Sequence, residues 1–171
     1  MNMRARWIED INAGKASCIF SLPDAAIRSE TGRGIAPLVK LDFDGKPDLA
    51  GEVILSETGR GIAPLAKLYI NNKSDLAGAK CYDKVVGSAA AALLCDIGVV
   101  YVYAAIMSEK ARDMLASAGI AVEYGQLVPA VLNGKRQGLC PLEARVIGLS
   151  QADAVCETLS FYAEVSTRLS P

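Results

Sequence analysis

The amino-acid sequence predicts an α/β fold: a three-layer α/β/α sandwich built on a mixed sheet. Three observations carry this. From Lys80 to Tyr124, strand-like and helix-like segments alternate as strand–helix–strand–helix–strand. That pattern builds a partly parallel sheet through right-handed crossovers. Val99 to Met107 is a continuous apolar run, as in a strand buried on both faces. A helix and a strand pair precede this region, and a further helix follows it, supplying the outer layers.

Along the chain, Arg4 to Asn12 places Trp7, Ile8 and Ile11 on one helical face, with Gly14 as a stop. Lys15 to Leu22 reads as a strand. Pro23-Asp24 marks a turn, after which Ala25 to Ser29 could return as a weaker strand. Glu52 to Ser56 is a better strand, with Val53, Ile54 and Leu55. Lys80 to Val86 is strand-like. Ser88 to Leu94 is a strong helix former, with Ser88 as expected N-cap and Gly98 as terminator. Ser108 caps the next helix, whose Ala111, Met114, Leu115 and Ala118 share a face, and Gly119 ends it. Ile120, Val122 and Tyr124 alternate as a strand. Leu127 to Leu132 is a further apolar segment, and Pro129 makes it an edge strand rather than a central one. Ser150 and Asp153 open a C-terminal helix in the manner of a capping box.

One phrase is written twice. SETGRGIAPLVKL runs from Ser29 to Leu41, and SETGRGIAPLAKL from Ser56 to Leu68, a shift of 27 residues. Two units are too few for a solenoid. The expectation is one domain over 1–171 with an internal tandem duplication, about 29–51 and 56–78. The second copy is expected to occupy the core, because it runs directly into the strand carrying Asp83. Each copy holds a glycine turn and then a proline suited to a first helical turn.

The 171 residues are enough for one sizeable core. The net charge of −1 argues against a dedicated nucleic-acid binder, leaving only a local basic patch open. No apolar run reaches the ~20 residues that span a bilayer, and the start has no hydrophobic signal core. The expected location is the cytoplasm. Five cysteines without a CxxC pair are expected as free thiols in a reducing compartment. There is no histidine. That excludes Ser-His and Cys-His dyads and all His metal ligands. No metal site and no cofactor are expected, since the cysteines lack the clustered spacing of structural zinc.

Four segments then converge: TGRGIAPL, DKVVGSAAA at Asp83 to Ala91, EYGQLVP at Glu123 to Pro129, and GLCPLE at Gly138 to Glu143. In this order they resemble the small prokaryotic family called domain of unknown function 1893. The resemblance covers about Lys15 to Leu149 and implies a cytidine-deaminase-like fold. That family carries the GRGI segment once, so the second occurrence is a departure. Zinc deaminases place H-x-E at one helix start and P-C-x-x-C at the next. By the resemblance, the matching starts here are Gly87-Ser88-Ala89 and Met107-Ser108-Glu109. Neither offers His or Cys, so the resemblance does not bring zinc-dependent deamination with it.

The candidate site residues follow. Cys140 precedes Pro141, so a thiol would sit at the positive end of a helical turn, where thiolate is favoured. Glu143 could move a proton there. The alternative is a buried cysteine on a Pro-anchored turn with a capping glutamate. Asp83 and Lys84 lie where a strand meets a helix, the edge at which open α/β sheets take ligands. They could equally form an ion pair or a cap. Ser108-Glu109 reads as ordinary helix-start chemistry or as a ligand contact. Arg60 and Gly61, in the second GRG turn, could hold a phosphate, although GRG is no P-loop. The expected function is binding of a nucleotide-like or other small molecule without zinc, with Cys140, Glu143, Lys84 and Asp83 as catalytic candidates. The alternative is a non-catalytic binding or assembly module, self-associating as a homodimer.

Overall fold

The computed structural model describes residues 3–22, 53–57, 60–135 and 137–169, without the side chains of 3, 53–57 and 169. The first copy of the repeated phrase, and the weak strand expected at Ala25 to Ser29, lie outside the described residues.

The chain opens with helix α1 (Met3–Asn12) and strand β1 (Cys18–Leu22). Strand β2 (Val53–Glu57) pairs antiparallel with β1, Leu22 opposite Val53 and Cys18 opposite Glu57. The second copy then supplies helix α2 (Ala63–Asn72), with Pro64 in its first turn as its missing N–H allows. Strand β3 (Lys80–Val86) pairs antiparallel with β1 and parallel with β4 (Tyr101–Ser108). Between them runs helix α3 (Ser88–Ile97), closed by Gly98 in the left-handed conformation at φ 78°. Helix α4 (Glu109–Ser117) returns the chain to strand β5 (Ala121–Val128), parallel to β4. Helices α5 (Pro141–Val146) and α6 (Gln151–Leu169) complete the described chain.

The five strands lie in the order β2-β1-β3-β4-β5, a mixed sheet. Trp7 and Ile11 of α1 cover one face, packed with Ile19, Tyr82 and Tyr103. Helices α2 to α6 cover the other, where the larger core joins Phe20, Cys81, Val102, Leu65, Leu93, Leu115 and Val155. The chain is therefore the three-layer α/β/α sandwich its sequence predicts.

Two local expectations need correction. Ser88 is not the N-cap of α3. Gly87 holds that position, and Ser88 begins the helix, because Glu143 supplies the cap from across the fold. Leu127 to Leu132 is not a separate strand. β5 runs on to Val128 and stops before Pro129, after which a bridge between Leu132 and Leu139 closes the loop. The alternation of β3 also breaks near its end. Cys81 and Val86 share one core cluster although five residues apart, which strict alternation forbids. Asp83 marks the break: its Oδ1 accepts the Val85 N–H at 3.0 Å.

Candidate functional site

Where β3 meets α3, a cleft of ≈ 150 Å³ opens. Ser17 after α1, Gly61 and Ile62 before α2, Asp83 and Lys84 on β3, Val131, and Cys140 and Glu143 around α5 all line it. The sequence scatters these positions, and the parallel crossover collects them at the carboxyl end of a central strand, where the amino end of α3 points inward. Leu65, Leu142 and Ala90 supply apolar walls.

Glu143 is 4% exposed, and its carboxylate faces the first turn of α3. One oxygen accepts the Ser88 N–H at 2.9 Å, and the other accepts the Ser88 hydroxyl at 2.7 Å. A buried acid at the positive end of a helix is stabilised both by these bonds and by the helix dipole. Gly87 makes the approach feasible. A Cβ there would stand 2.5 Å from a Glu143 oxygen and 3.0 Å from a Val131 methyl. With both oxygens occupied, Glu143 acts first as the clasp between α5 and α3, rather than as a free proton carrier.

Asp83 is 9% exposed. Burial pushes its carboxyl up to about 7, against the pull of hydrogen bonds from the Val85 N–H, the Cys18 thiol and the Lys84 N–H. Directly behind it, Cys18 and Cys81 are fully buried with sulfurs 4.0 Å apart. The Cys81 contact, then burial, raises the Cys18 thiol well above its ordinary value, and burial raises Cys81. Cys18, Cys81 and Asp83 form the group of metal-capable side chains among the described residues, their donor atoms all within 4.8 Å of one another. Lys84 is exposed on the cleft, its Nζ near Gly14 at the end of α1. Cys140 caps α5 through its backbone and is half-buried.

The structure thus brings together Asp83, Lys84, Cys140, Glu143 and Gly61. It does not bring Ser108 or Glu109 to the cleft. Ser108 is fully buried and its hydroxyl accepts the Ala111 N–H at 3.2 Å, an N-cap for α4. Glu109 is exposed in the first turn of that helix. Arg60 is exposed beside Gly61 and is not among the lining residues. Sequence reasoning placed Gly87 at a helix start but missed the close approach of Glu143 to it, although its place between the strand and the alanine-rich helix signals a tight junction. It also missed the Cys18–Cys81–Asp83 group. Cys81-x-Asp83 on a strand puts two donors on one face, but nothing local announces Cys18 across from them.

A family model described as "TM1506: Domain of unknown function (DUF1893)" matches residues 48–162. The chain belongs to the DUF1893 family. The DUF1893 match contains the second copy of the phrase and every lining residue except Ser17, while the first copy lies before it. A solved structure agrees in fold: the crystal structure of a DUF1893 family protein (TM1506) from Thermotoga maritima, with TM-score 0.67 and 20% identity. The likeness covers 93% of this chain and 88% of that one. No curated protein matches the chain. Within the described residues of this DUF1893 chain, no helix is long and apolar enough to cross a membrane.

Proposed function

We propose that the cleft binds a small nitrogen-rich ring compound of the nucleobase, nucleoside or nucleotide class, on a scaffold of the cytidine-deaminase kind without that fold's catalytic zinc. The observation that carries this reading is the meeting of Asp83, Lys84, Cys140 and Glu143 on one cleft, drawn from β3 and the start of α5. Apolar walls from Ile62, Leu65, Val131 and Leu142 suit a flat ring, and the few polar groups suit its N–H edge. A cleft of ≈ 150 Å³ holds a base-sized group and leaves any sugar or phosphate outside, toward Lys84. The start of α3, where a deaminase would carry its first zinc-binding motif, is filled here by the Glu143 carboxylate. Cys140 is the candidate nucleophile for any covalent chemistry, with Lys84 the candidate proton carrier.

The test is calorimetric titration of the full chain with a nucleobase, its nucleoside and its nucleotide, in the presence of a chelator. Asp83→Asn should weaken all three, and Lys84→Ala should weaken the nucleotide by about tenfold, the worth of one charge-assisted bond. Absence of binding at millimolar ligand, or affinities unchanged in both variants, would sink the reading.

An assembly role is the second reading. It is favoured by Ile147, Leu149, Leu132 and Leu139, which are exposed by 42–53%, and by β5, an edge strand of the described sheet. Light scattering decides it: a concentration-independent monomer mass rejects self-association.

A further inference from the structure

We propose that Cys18, Cys81 and Asp83 form a binding site for a soft divalent cation of the zinc class, set behind the floor of the cleft. It does not depend on the nucleobase reading. Three features of the sheet build it. Cys81 and Asp83 are two residues apart on β3, so both side chains leave the same face. Cys18 lies directly opposite Asp83 in the antiparallel register of β1 and β3. All three face the helical layer, since Cys18 and Cys81 belong to the larger core cluster.

The spacing fits a metal better than it fits either alternative. Two sulfurs 4.0 Å apart are far outside a disulfide bond. Zinc–sulfur bonds of ≈ 2.3 Å drawn from each sulfur would meet at about 120°, close to the angle of a tetrahedral or trigonal site. Sulfur and oxygen donors on one tetrahedral zinc stand ~3.6 Å apart, so a carboxylate oxygen within 4.8 Å of both sulfurs reaches the same point after a shift of about 1 Å. Apolar packing accounts for two buried thiols but not for an acid set beside them, where a valine would fill the space without a polar atom. Thiolate donors select zinc-class ions over magnesium or calcium. Binding would release the two thiol protons to solvent. Asp83 also lines the cleft, so the fourth coordination position would open toward it, giving the ion a path in and room for water.

The test uses the full-length chain, reduced and stripped of metal by a chelator. Cobalt is added as the spectroscopic probe, then displaced by zinc. The expected result is one metal per chain and a thiolate-to-cobalt charge-transfer band. That band should persist when Cys95, Cys140 and Cys156 are all replaced by Ala. It should vanish in Cys18→Ala and in Cys81→Ala, and Asp83→Asn should weaken affinity at least about tenfold, as loss of a metal-site partner does. No band in the parent chain, a band lost in the triple variant, or a band surviving Cys18→Ala would each overturn the proposal. Because a buried substitution can prevent folding, the parent chain carries a second measurement: alkylation followed by peptide mapping under mild denaturant. Zinc should slow labelling of Cys18 and Cys81 while leaving Cys156 unchanged. Equal labelling with and without zinc would also overturn it.

Discussion

Glu143 and Ser88 are 55 positions apart, yet the carboxylate of one accepts both the backbone N–H and the hydroxyl of the other. This clasp ties α5 to the first turn of α3 and shapes one wall of the cleft. Replacing Glu143 by Ala leaves a buried N–H and hydroxyl without their partner. The expected loss is about 1–3 kcal/mol of stability, read as a lower urea midpoint with unchanged slope. A midpoint within error of the parent would show that the clasp contributes nothing.

Gly87→Ala tests the same contact from the other side. The new Cβ would need the space of a Glu143 oxygen, 2.5 Å away. The expected loss is again about 1–3 kcal/mol, from overpacking. Because both changes act on one contact, the double variant Gly87→Ala with Glu143→Ala should lose less than the sum of the two. Strict additivity in denaturant unfolding would contradict the geometry.

Asp83 sets a pH dependence. Its folded carboxyl sits near 7 against an ordinary 3.8, so between these values the folded chain keeps a proton that the unfolded chain has released. The stability this brings is complete below the ordinary value and is lost as pH rises through about 7. The chain has no histidine, the side chain that ordinarily titrates between pH 5 and 8. Melting temperatures of the chelator-treated protein should therefore fall across that window. Asp83→Asn should flatten the profile, and an unchanged slope in that variant would reject the assignment.

The two copies of the phrase differ where it matters for packing. Ala66 is fully buried, and the matching position in the first copy is Val39. Tyr69 donates to Asp96 at 2.5 Å, and Asp96 pairs with Lys73; the matching position in the first copy is Asp42. Ala66→Val would overpack the core, and Tyr69→Asp would set a carboxylate beside Asp96. Each should lower stability by about 1–3 kcal/mol. Conversely, removing residues 26–52 leaves Pro23, Asp24 and Ala25 between Leu22 and Val53, which face each other in the register. Three residues suffice for a hairpin loop. The shortened chain should fold and gain about 2 kcal/mol from the smaller loop. Failure to fold would place an essential part of the core within 26–52.

What the sequence disclosed was local. The helix face Ala111–Leu115, the Ser108 cap, the buried run of β4 and the Gly98 stop are each written within a few residues, so their periods could be read directly. The sheet partner of β1 was not legible, because 30 residues separate Leu22 from Val53 and only tertiary pairing selects β2. The site followed the same rule. Asp83 and Lys84 were legible as the end of a strand, and Cys140 as the residue before a helix-starting proline. That Glu143 would cap α3, displacing Ser88 from that role, depends on a contact no local pattern records. The cysteine pair across β1 and β3 is nonlocal for the same reason.

The measurement that bears most directly on the cleft is a crystal structure of the protein soaked separately with a nucleoside and a nucleotide. The account predicts the base between Leu65 and Val131, its N–H edge toward Asp83, with the phosphate of the nucleotide near Lys84. A cleft left empty at saturating ligand, or ligand bound only elsewhere on the surface, would contradict it.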